Sequence, residues 1–204
     1  MEKILLHSCC APCSGAILEW MMANGYEPTV YYYNPNIFPE KEYLIRKNEI
    51  TEYAKKLGVP IIDGDWNHDF WREKVKGLED EPERGARCLQ CFRVRLYQTA
   101  KIASEMGFSR FTTTLASSRW KRLDQVAEAG NWAASQFPGV EYWDRNRGAL
   151  IRENHFYNQL YCGCEFSMRG LAERMARQSE QAKKDEEAAR EKIDAALQSI
   201  SKSA

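Results

Sequence analysis

Seven cysteines, grouped in three short clusters, are the residues of this sequence best suited to chemistry. The clusters are Cys9-Cys10-Ala11-Pro12-Cys13, Cys88-Leu89-Gln90-Cys91 and Cys162-Gly163-Cys164. Thiolates bind zinc, iron and iron–sulfur clusters, and pairs of thiols also exchange with disulfides. Because seven is an odd number, structural disulfides within one chain cannot account for all of these residues. The grouping therefore favours metal binding or redox chemistry.

The first two clusters stand in contexts that favour thiolate over thiol. Adjacent cysteines can act together only where the backbone turns, and Pro12 favours a turn. The helix predicted to follow presents its N-terminal amides to this loop, which stabilises negative charge. The CxxC pair is typical of zinc, iron–sulfur and thioredoxin-like redox sites. The positive charges of its flanking arginines would also favour thiolate: Arg84, Arg87, Arg93 and Arg95. Each of these arginines taken singly, however, is expected on a solvated helix face.

The third cluster is a CxC pair, which can chelate one metal ion or close into a strained, labile disulfide. Gly163 permits the tight backbone that such a ring needs. Four thiolates satisfy one zinc ion or one cubane cluster, so a single zinc site would leave cysteines over for other work. The histidines lie at no metal-ligand spacing from the cysteines and are expected to be structural or surface residues: His7, His68 and His155.

The elements that must position these clusters alternate between strand and helix. Strands are predicted at 3–8, 28–33, 59–62, 108–115 and 140–143, and helices at 14–24, 39–57, 92–106 and 123–137. This alternation predicts an α/β fold with a mostly parallel sheet and helices on both faces. Ligands of such folds bind at the carboxyl ends of the strands, where Cys9 and Cys10 follow the first strand. Residues 1–168 are predicted to form the catalytic domain, and 169–204 a helical, largely solvated tail.

Composition restricts the classes of protein to which the chain can belong. The formal net charge is zero, so binding of nucleic acid would depend on local basic patches. No apolar run approaches the ~20 residues of a membrane span, which predicts a cytoplasmic protein without a membrane partner. The sequence also contains no GxxxxGK[ST] or GxGxxG phosphate loop. Cysteines occupy the end of the first strand, where such a loop usually lies. We therefore infer that a metal replaces phosphate at this place.

Taken together, several long strings resemble the QueH family of epoxyqueuosine reductases: LLHSCCAPCS, YYYNPNIFPEKEYLIR, GLEDEPERGARCLQCFRVRL, FTTTL and YCGCEFS. The resemblance extends from Leu5 to about Met168, most of the chain. It implies a fold like that of the adenine nucleotide α-hydrolases (HUP type). It also implies the last step of queuosine formation, in which the epoxide oxygen of epoxyqueuosine at the tRNA wobble position is removed.

The resemblance also implies roles for the cysteines. A [4Fe-4S] cluster would be held by Cys9, Cys10, Cys88 and Cys91, and Cys162 with Cys164 would be the redox-active, catalytic pair. A further mononuclear iron is implied near the cluster, with Cys13 as its candidate ligand. The partner would be tRNA that contains epoxyqueuosine, and the residues do not specify the electron donor.

Basic residues that follow predicted strands are the candidates for binding RNA phosphates. Arg119, Lys121 and Arg122 are expected at the same sheet edge as the first cysteines, with Trp120 able to stack on a base. A second basic group precedes the third cluster: Arg145, Arg147 and Arg152.

Two other functions remain open from the residues alone. One is a sulfur-transfer enzyme on an ATP-dependent scaffold, against which the missing phosphate loop counts. The other is a zinc-stapled RNA-binding module, which would purify anaerobically as a colourless zinc protein, whereas an iron–sulfur protein would be brown.

Overall fold

The computed structural model describes residues 1–118, 121–144 and 162–168, together with Ala176 and Glu180. The strands are β1 (Glu2–His7), β2 (Tyr26–Tyr32), β3 (Ile61–Asp63), β4 (Arg110–Thr113) and β5 (Glu141–Tyr142). The helices are α1 (Ala11–Ala23), α2 (Glu40–Leu57), α3 (His68–Lys74), α4 (Ala86–Glu105), α5 (Leu123–Ser135) and α6 (Glu165–Met168), and a 3₁₀ helix covers Thr114–Ser117. The chain divides into two units, Met1–Phe166 and Ser167–Ala204, and all seven cysteines lie in the first.

The five strands form one sheet in the order β3-β2-β1-β4-β5. Every pairing is parallel; Leu5 in β1, for example, lies beside Thr29 in β2 and Phe111 in β4. The connections proceed to one side of β1 as far as β3 and then to the other side through β4. This reversal opens a crevice at the carboxyl ends of β1 and β4, the usual place for a ligand in such sheets. The predicted α/β class is confirmed, and the architecture agrees with the HUP-like expectation.

Side chains of the central strand alternate between two helical layers. Leu5 packs on one face with residues of α4 and α5, whereas Ile4 and Leu6 pack on the other face with residues of α1 and α2. All three are fully buried, which stabilises the fold by about 1.5–3 kcal/mol for each side chain. Because both faces of β1 are covered, its end is held rigidly, and the cysteines that follow it inherit a fixed position.

Two helices begin earlier than predicted. Helix α1 starts at Ala11 instead of residue 14, because Pro12 lies in its first turn, where proline fits the helix without losing a hydrogen bond. Helix α4 starts at Ala86 instead of residue 92, so Cys88 and Cys91 belong to the helix itself. Polar contacts stabilise the first turn of α4; for example, the Ala86 N–H donates to Glu81 Oε2 at 2.9 Å. This turn therefore lacks the hydrophobic periodicity from which a helix is predicted.

Helix α3 has no counterpart among the predicted elements, since its short span shows little apolar repeat. It begins where the Asn67 side chain accepts a hydrogen bond from the Phe70 N–H at 2.8 Å. Strand β4 ends earlier than predicted because Thr113 caps the 3₁₀ helix. The helical tail predicted over 169–204 falls outside the described residues except for Ala176 and Glu180. In the described part of the chain, no helix combines the length and apolar character of a membrane span.

Candidate functional site

The end of β1 and the start of α1 bring three thiols together. The sulfur atoms of Cys9, Cys10 and Cys13 all lie within 4.8 Å of one another, and Cys9 Sγ is 3.5 Å from Cys10 Sγ. Cys10 is the N-cap of α1, so Cys13 lies one helical turn further on and faces the same loop. Thiol sulfurs this close together, most of them buried, fit a soft metal ion or an iron–sulfur centre.

Hydroxyl side chains hold this group of cysteines in place. The Cys9 N–H donates to Thr114 Oγ1 at 3.1 Å, and the Thr114 hydroxyl in turn donates to Cys9 Sγ at 3.3 Å. The Ser14 hydroxyl donates to the Cys10 carbonyl at 2.7 Å. Thr114 follows β4, so the first cysteine is fixed by both strands that border the crevice.

The thiols of Cys9 and Cys13 differ in the direction of their pKa shifts. Hydrogen bonds from Cys10 and Cys13 hold the pKa of Cys9 well below its usual value, with help from the positive charges of Lys121 and Arg95. The pKa of Cys13 is raised well above its usual value, because its thiol is hydrogen-bonded to Cys10 and Cys9 and is buried. The loop therefore favours one thiolate, at Cys9, which the neighbouring thiols stabilise. Thiolates are the form that binds metal.

The second and third clusters meet in one cleft. Its lining includes all four of their cysteines. Cys88 and Cys91 enter from the first turns of α4, while the thiol of Cys164 is hydrogen-bonded to that of Cys162. Cys88 also packs against the core cluster that contains Cys9 and Cys10. Helix α4 thus connects the two groups of thiols.

Burial is the main cause of the raised pKa values of Cys88 and Cys91. It raises the pKa of Cys88 to about 11 and also raises the pKa of Cys91. The hydrogen bond with Cys162, together with burial, raises the pKa of Cys164. The expected thiolate-favouring context of Cys88 and Cys91 is therefore wrong in its net effect: the charges of Arg87 and Arg95 lower the two pKa values, but desolvation of a thiolate outweighs them.

The expected solvation of the arginines is also wrong for two of them. Arg87 is 4% exposed and Arg95 is 2% exposed. The Arg87 guanidinium donates to the Glu79 carbonyl at 2.8 Å, which fastens the segment before α4. Arg95 donates to the side chain of Asn34, and its charge acts on both Cys9 and Cys91. The positive charge of buried Arg95 therefore acts on both groups of cysteines, the one at the end of β1 and the one in the cleft.

Backbone contacts hold the CxC segment against the loop that follows β2. The Phe38 N–H donates to the Gly163 carbonyl at 3.0 Å, and Ile37 pairs with Cys164 in an isolated antiparallel bridge. Gly163 has φ +97°, a conformation that L side chains rarely adopt. A Cβ there would lie 2.9 Å from Arg46 Nη1 and 3.1 Å from Ile37 Cγ1. Glycine is therefore required between the two cysteines for conformation as well as for space.

We expect Gly163→Ala to destabilise the protein more than the control Gly58→Ala. Gly58 also has a positive φ, +70°, but a Cβ there would meet nothing within 4 Å. The control should lose about 1–2 kcal/mol from the backbone conformation alone. Gly163→Ala should lose a further ~1–3 kcal/mol because of crowding. Chemical denaturation of both variants measures the difference, and equal losses would show that the space around Gly163 can relax.

Comparison with known proteins identifies the family. A family model described as "Epoxyqueuosine reductase QueH" matches residues 4–170. The chain belongs to the QueH family. Curated relatives named epoxyqueuosine reductase QueH, an oxidoreductase, include proteins of Histophilus somni and Acinetobacter baylyi. The first is 48% identical over 82% of this chain and 73% of its own length, and the second is 46% identical over 82% and 81%. A Thermotoga maritima relative is 31% identical over 90% of this chain and 98% of its own length.

In this QueH-family chain the histidines are structural where they are described, as expected. His7 is fully buried, and its Nε2–H donates to the Tyr33 carbonyl at 3.1 Å. Its Nδ1 therefore accepts from the Thr113 hydroxyl at 2.8 Å, which fixes one neutral tautomer. Burial, with the charge of Arg95, lowers the pKa of His7 to about 3. His68 lies against the Pro35 carbonyl, with Nδ1 to O at 2.7 Å, and His155 lies outside the described residues.

The structure describes only part of the predicted RNA contacts. Lys121 lines the cleft beside the cysteines. Arg122 is exposed and forms an ion pair with Asp124. The other predicted contacts lie outside the described residues: Arg119, Trp120, Arg145, Arg147 and Arg152.

Asn34, which contacts Arg95, is a site residue for which the sequence indicates no role. The Asn34 Nδ2 donates to the Ser8 carbonyl at 2.9 Å, and its Oδ1 accepts from Arg95. Together they tie α4 to the loop that begins at Ser8. Asparagine next to proline is typical of an ordinary turn, so the Asn34-Pro35-Asn36 string does not by itself distinguish a site. Its occurrence within a string that resembles the QueH family is the signal that could have found it.

Proposed function

We propose that this chain is an epoxyqueuosine reductase that acts on the wobble position of tRNA. The supporting observation is that the QueH model covers residues 4–170, a span that includes all seven cysteines. Residues 1–168 would then carry the activity, with 169–204 as a solvated tail. A thiol pair that must be returned to its reduced form suits a reducing compartment, so we propose that the enzyme works in the cytoplasm.

We further propose that Cys9, Cys10, Cys88 and Cys91 hold a [4Fe-4S] cluster. Support comes from the close thiols at the end of β1 and from Cys88, which packs on the same core cluster as Cys9 and Cys10. Cys13 would serve a further iron. When bound, these groups supply one-electron transfer and a Lewis acid for oxygen.

The proposed role of Cys162 and Cys164 is to hold two electrons and two protons as a dithiol. Removal of an epoxide oxygen breaks two C–O bonds, forms a C=C bond and releases the oxygen as water. This reduction takes up two electrons and two protons, the number that a dithiol gives up when it forms one disulfide. The hydrogen bond between the two thiols keeps them adjacent for that S–S bond. An external electron donor must then reduce the disulfide.

The test incubates anaerobically purified, reduced protein with tRNA that carries epoxyqueuosine, then digests the tRNA and weighs its nucleosides. The modified nucleoside should lose the mass of one oxygen atom. An unchanged mass with a fully loaded, reduced protein would overturn the proposal. Isolation of a colourless protein with stoichiometric zinc would instead support the RNA-binding alternative.

We expect a triple variant, Arg119→Ala with Lys121→Ala and Arg122→Ala, to bind tRNA more weakly without a change in iron content. Lys121 lines the cysteine cleft, so phosphates near the reacting nucleoside lie within reach of this segment. Each lost phosphate contact should reduce the slope of log affinity against log salt concentration by about 0.7–0.9. Binding titrations at several salt concentrations measure that slope.

The matched control removes three lysines that lie away from the cleft: Lys3, Lys55 and Lys56, all exposed. It changes net charge by the same amount, so it corrects for the field of the whole protein. Equal weakening in both triple variants would contradict a local RNA contact after β4.

A further inference from the structure

Asn36 is a buried polar residue whose side-chain oxygen accepts no hydrogen bond from the described residues. It is 2% exposed, and its Oδ1 is buried without a hydrogen-bond partner among the described residues. It lines the same cleft as the four cysteines of the second and third clusters. Buried carboxamides are normally hydrogen-bonded, and an exception of this kind points to a missing partner.

The loop around Asn36 is firmly held, so poor anchoring does not explain the unused amide. The Ile37 N–H donates to the Asn34 carbonyl at 3.1 Å, and the Ile37 carbonyl accepts from Trp66 Nε1 at 3.0 Å. The Pro35 carbonyl lies 2.7 Å from His68 Nδ1. Contacts on both sides therefore fix the position of the Asn36 backbone. The side-chain oxygen of Asn36 has no hydrogen-bond partner among the residues that the structure describes.

Asn34 provides the contrast within the same Asn-Pro-Asn string. Its side chain is fully buried, donates to the Ser8 carbonyl and accepts from Arg95. Asn34 therefore has a structural role that its bonds explain. Asn36 lines the cleft and carries the same chemical group, but its oxygen accepts no hydrogen bond from any described residue.

We propose that the Asn36 carboxamide binds a hydroxyl group of the substrate, on the ring that carries the epoxide. This inference rests on the proposed function, in which the cleft receives the modified nucleoside. A carboxamide offers one acceptor and two donor hydrogens, and a hydroxyl can donate to the oxygen or accept from the nitrogen. Such a contact distinguishes the hydroxylated ring of epoxyqueuosine from an unmodified guanine, which has no such ring. It also places the epoxide beside Cys162 and Cys164, which line the same cleft.

The test is a binding ratio measured with the anaerobically purified holoprotein. Wild-type protein should bind tRNA with epoxyqueuosine more tightly than the same tRNA without the modification. Asn36→Leu, similar in size but unable to form hydrogen bonds, should reduce this preference by about 10-fold or more, as expected for a lost buried hydrogen bond. Affinity for unmodified tRNA, iron content and visible absorption should stay at wild-type levels.

Thermal unfolding separates this role from a structural one. Asn36→Leu removes an unpaired buried amide, so its unfolding midpoint should equal or exceed that of wild type. Asn34→Leu, the matched control, should lower the midpoint because it leaves Ser8 and Arg95 without their partner. Asn36→Ala is the second variant if leucine proves too bulky.

Two results would overturn the inference. One is an unchanged binding ratio in both Asn36 variants. The other is a lower midpoint with lost iron in both, which would make Asn36 a structural residue. Absence of turnover in wild type would count against the proposed function itself. Normal turnover of wild type with an unchanged ratio in the variants would count against the Asn36 contact alone.

Discussion

Replacement of both Cys162 and Cys164 by serine should abolish turnover while the protein keeps its iron and its visible absorption. The two thiols are hydrogen-bonded to one another across Gly163, so they are placed to form a disulfide. Serine keeps the size of the side chain but cannot store electrons. Anaerobic turnover assays, iron analysis and absorption spectra on the same preparation give the result.

The two single variants test whether both thiols are needed. Cys162→Ser and Cys164→Ser should each be inactive as well, because one thiol cannot close the ring. If a folded double variant loses the iron–sulfur spectrum, both residues belong to the ligand set and the proposed redox pair is wrong.

Loss of bound iron is the second large effect that we expect, in Cys9→Ser, Cys88→Ser and Cys91→Ser. A cubane cluster normally takes four protein thiolates, and serine replaces one of them with a poor ligand. Removal of an outer hydrogen-bonding partner alone lowers metal affinity about 10–100-fold, and loss of a ligand should exceed that. Iron and acid-labile sulfide, measured per folded protein, report the effect.

Cys13→Ser is the matched comparison, because Cys13 lies in the thiol group of Cys9 and Cys10. If Cys13 serves only a further iron, its variant should retain the cluster spectrum and lose a smaller share of the iron. Wild-type iron content in Cys88→Ser and Cys91→Ser would contradict the proposed ligand set.

The strand–helix alternation and the position of Cys9 and Cys10 could be predicted from the sequence. Both depend on local patterns: apolar runs form β1, and in parallel sheets the residues after a strand reach the ligand edge. The beginning of α4 could not be predicted in this way. Its first turns are held by Arg87 and Glu81, which bind backbone groups instead of forming an apolar stripe.

The charge state of the cysteines was also beyond local reasoning. Arginines beside Cys88 and Cys91 suggest thiolates in the sequence, yet burial raises the pKa values of both thiols. Burial is a tertiary property, and it depends on residues such as Trp71 that pack against Cys91 from another helix. The role of Asn34 has the same origin, since its partners are Ser8 and Arg95.

The antiparallel bridge between Ile37 and Cys164 can form only after the sheet has been synthesised. All five strands of the sheet precede residue 144, so a ribosome has delivered the whole sheet before it synthesises Cys162 and Cys164. A nascent chain can therefore close its core while the last thiols are still inside the exit tunnel. Iron acquired at that stage would meet Cys9, Cys10, Cys88 and Cys91 without competition from the final pair. With the proposed ligand set, the chain order would separate loading of the cluster from completion of the proposed redox pair.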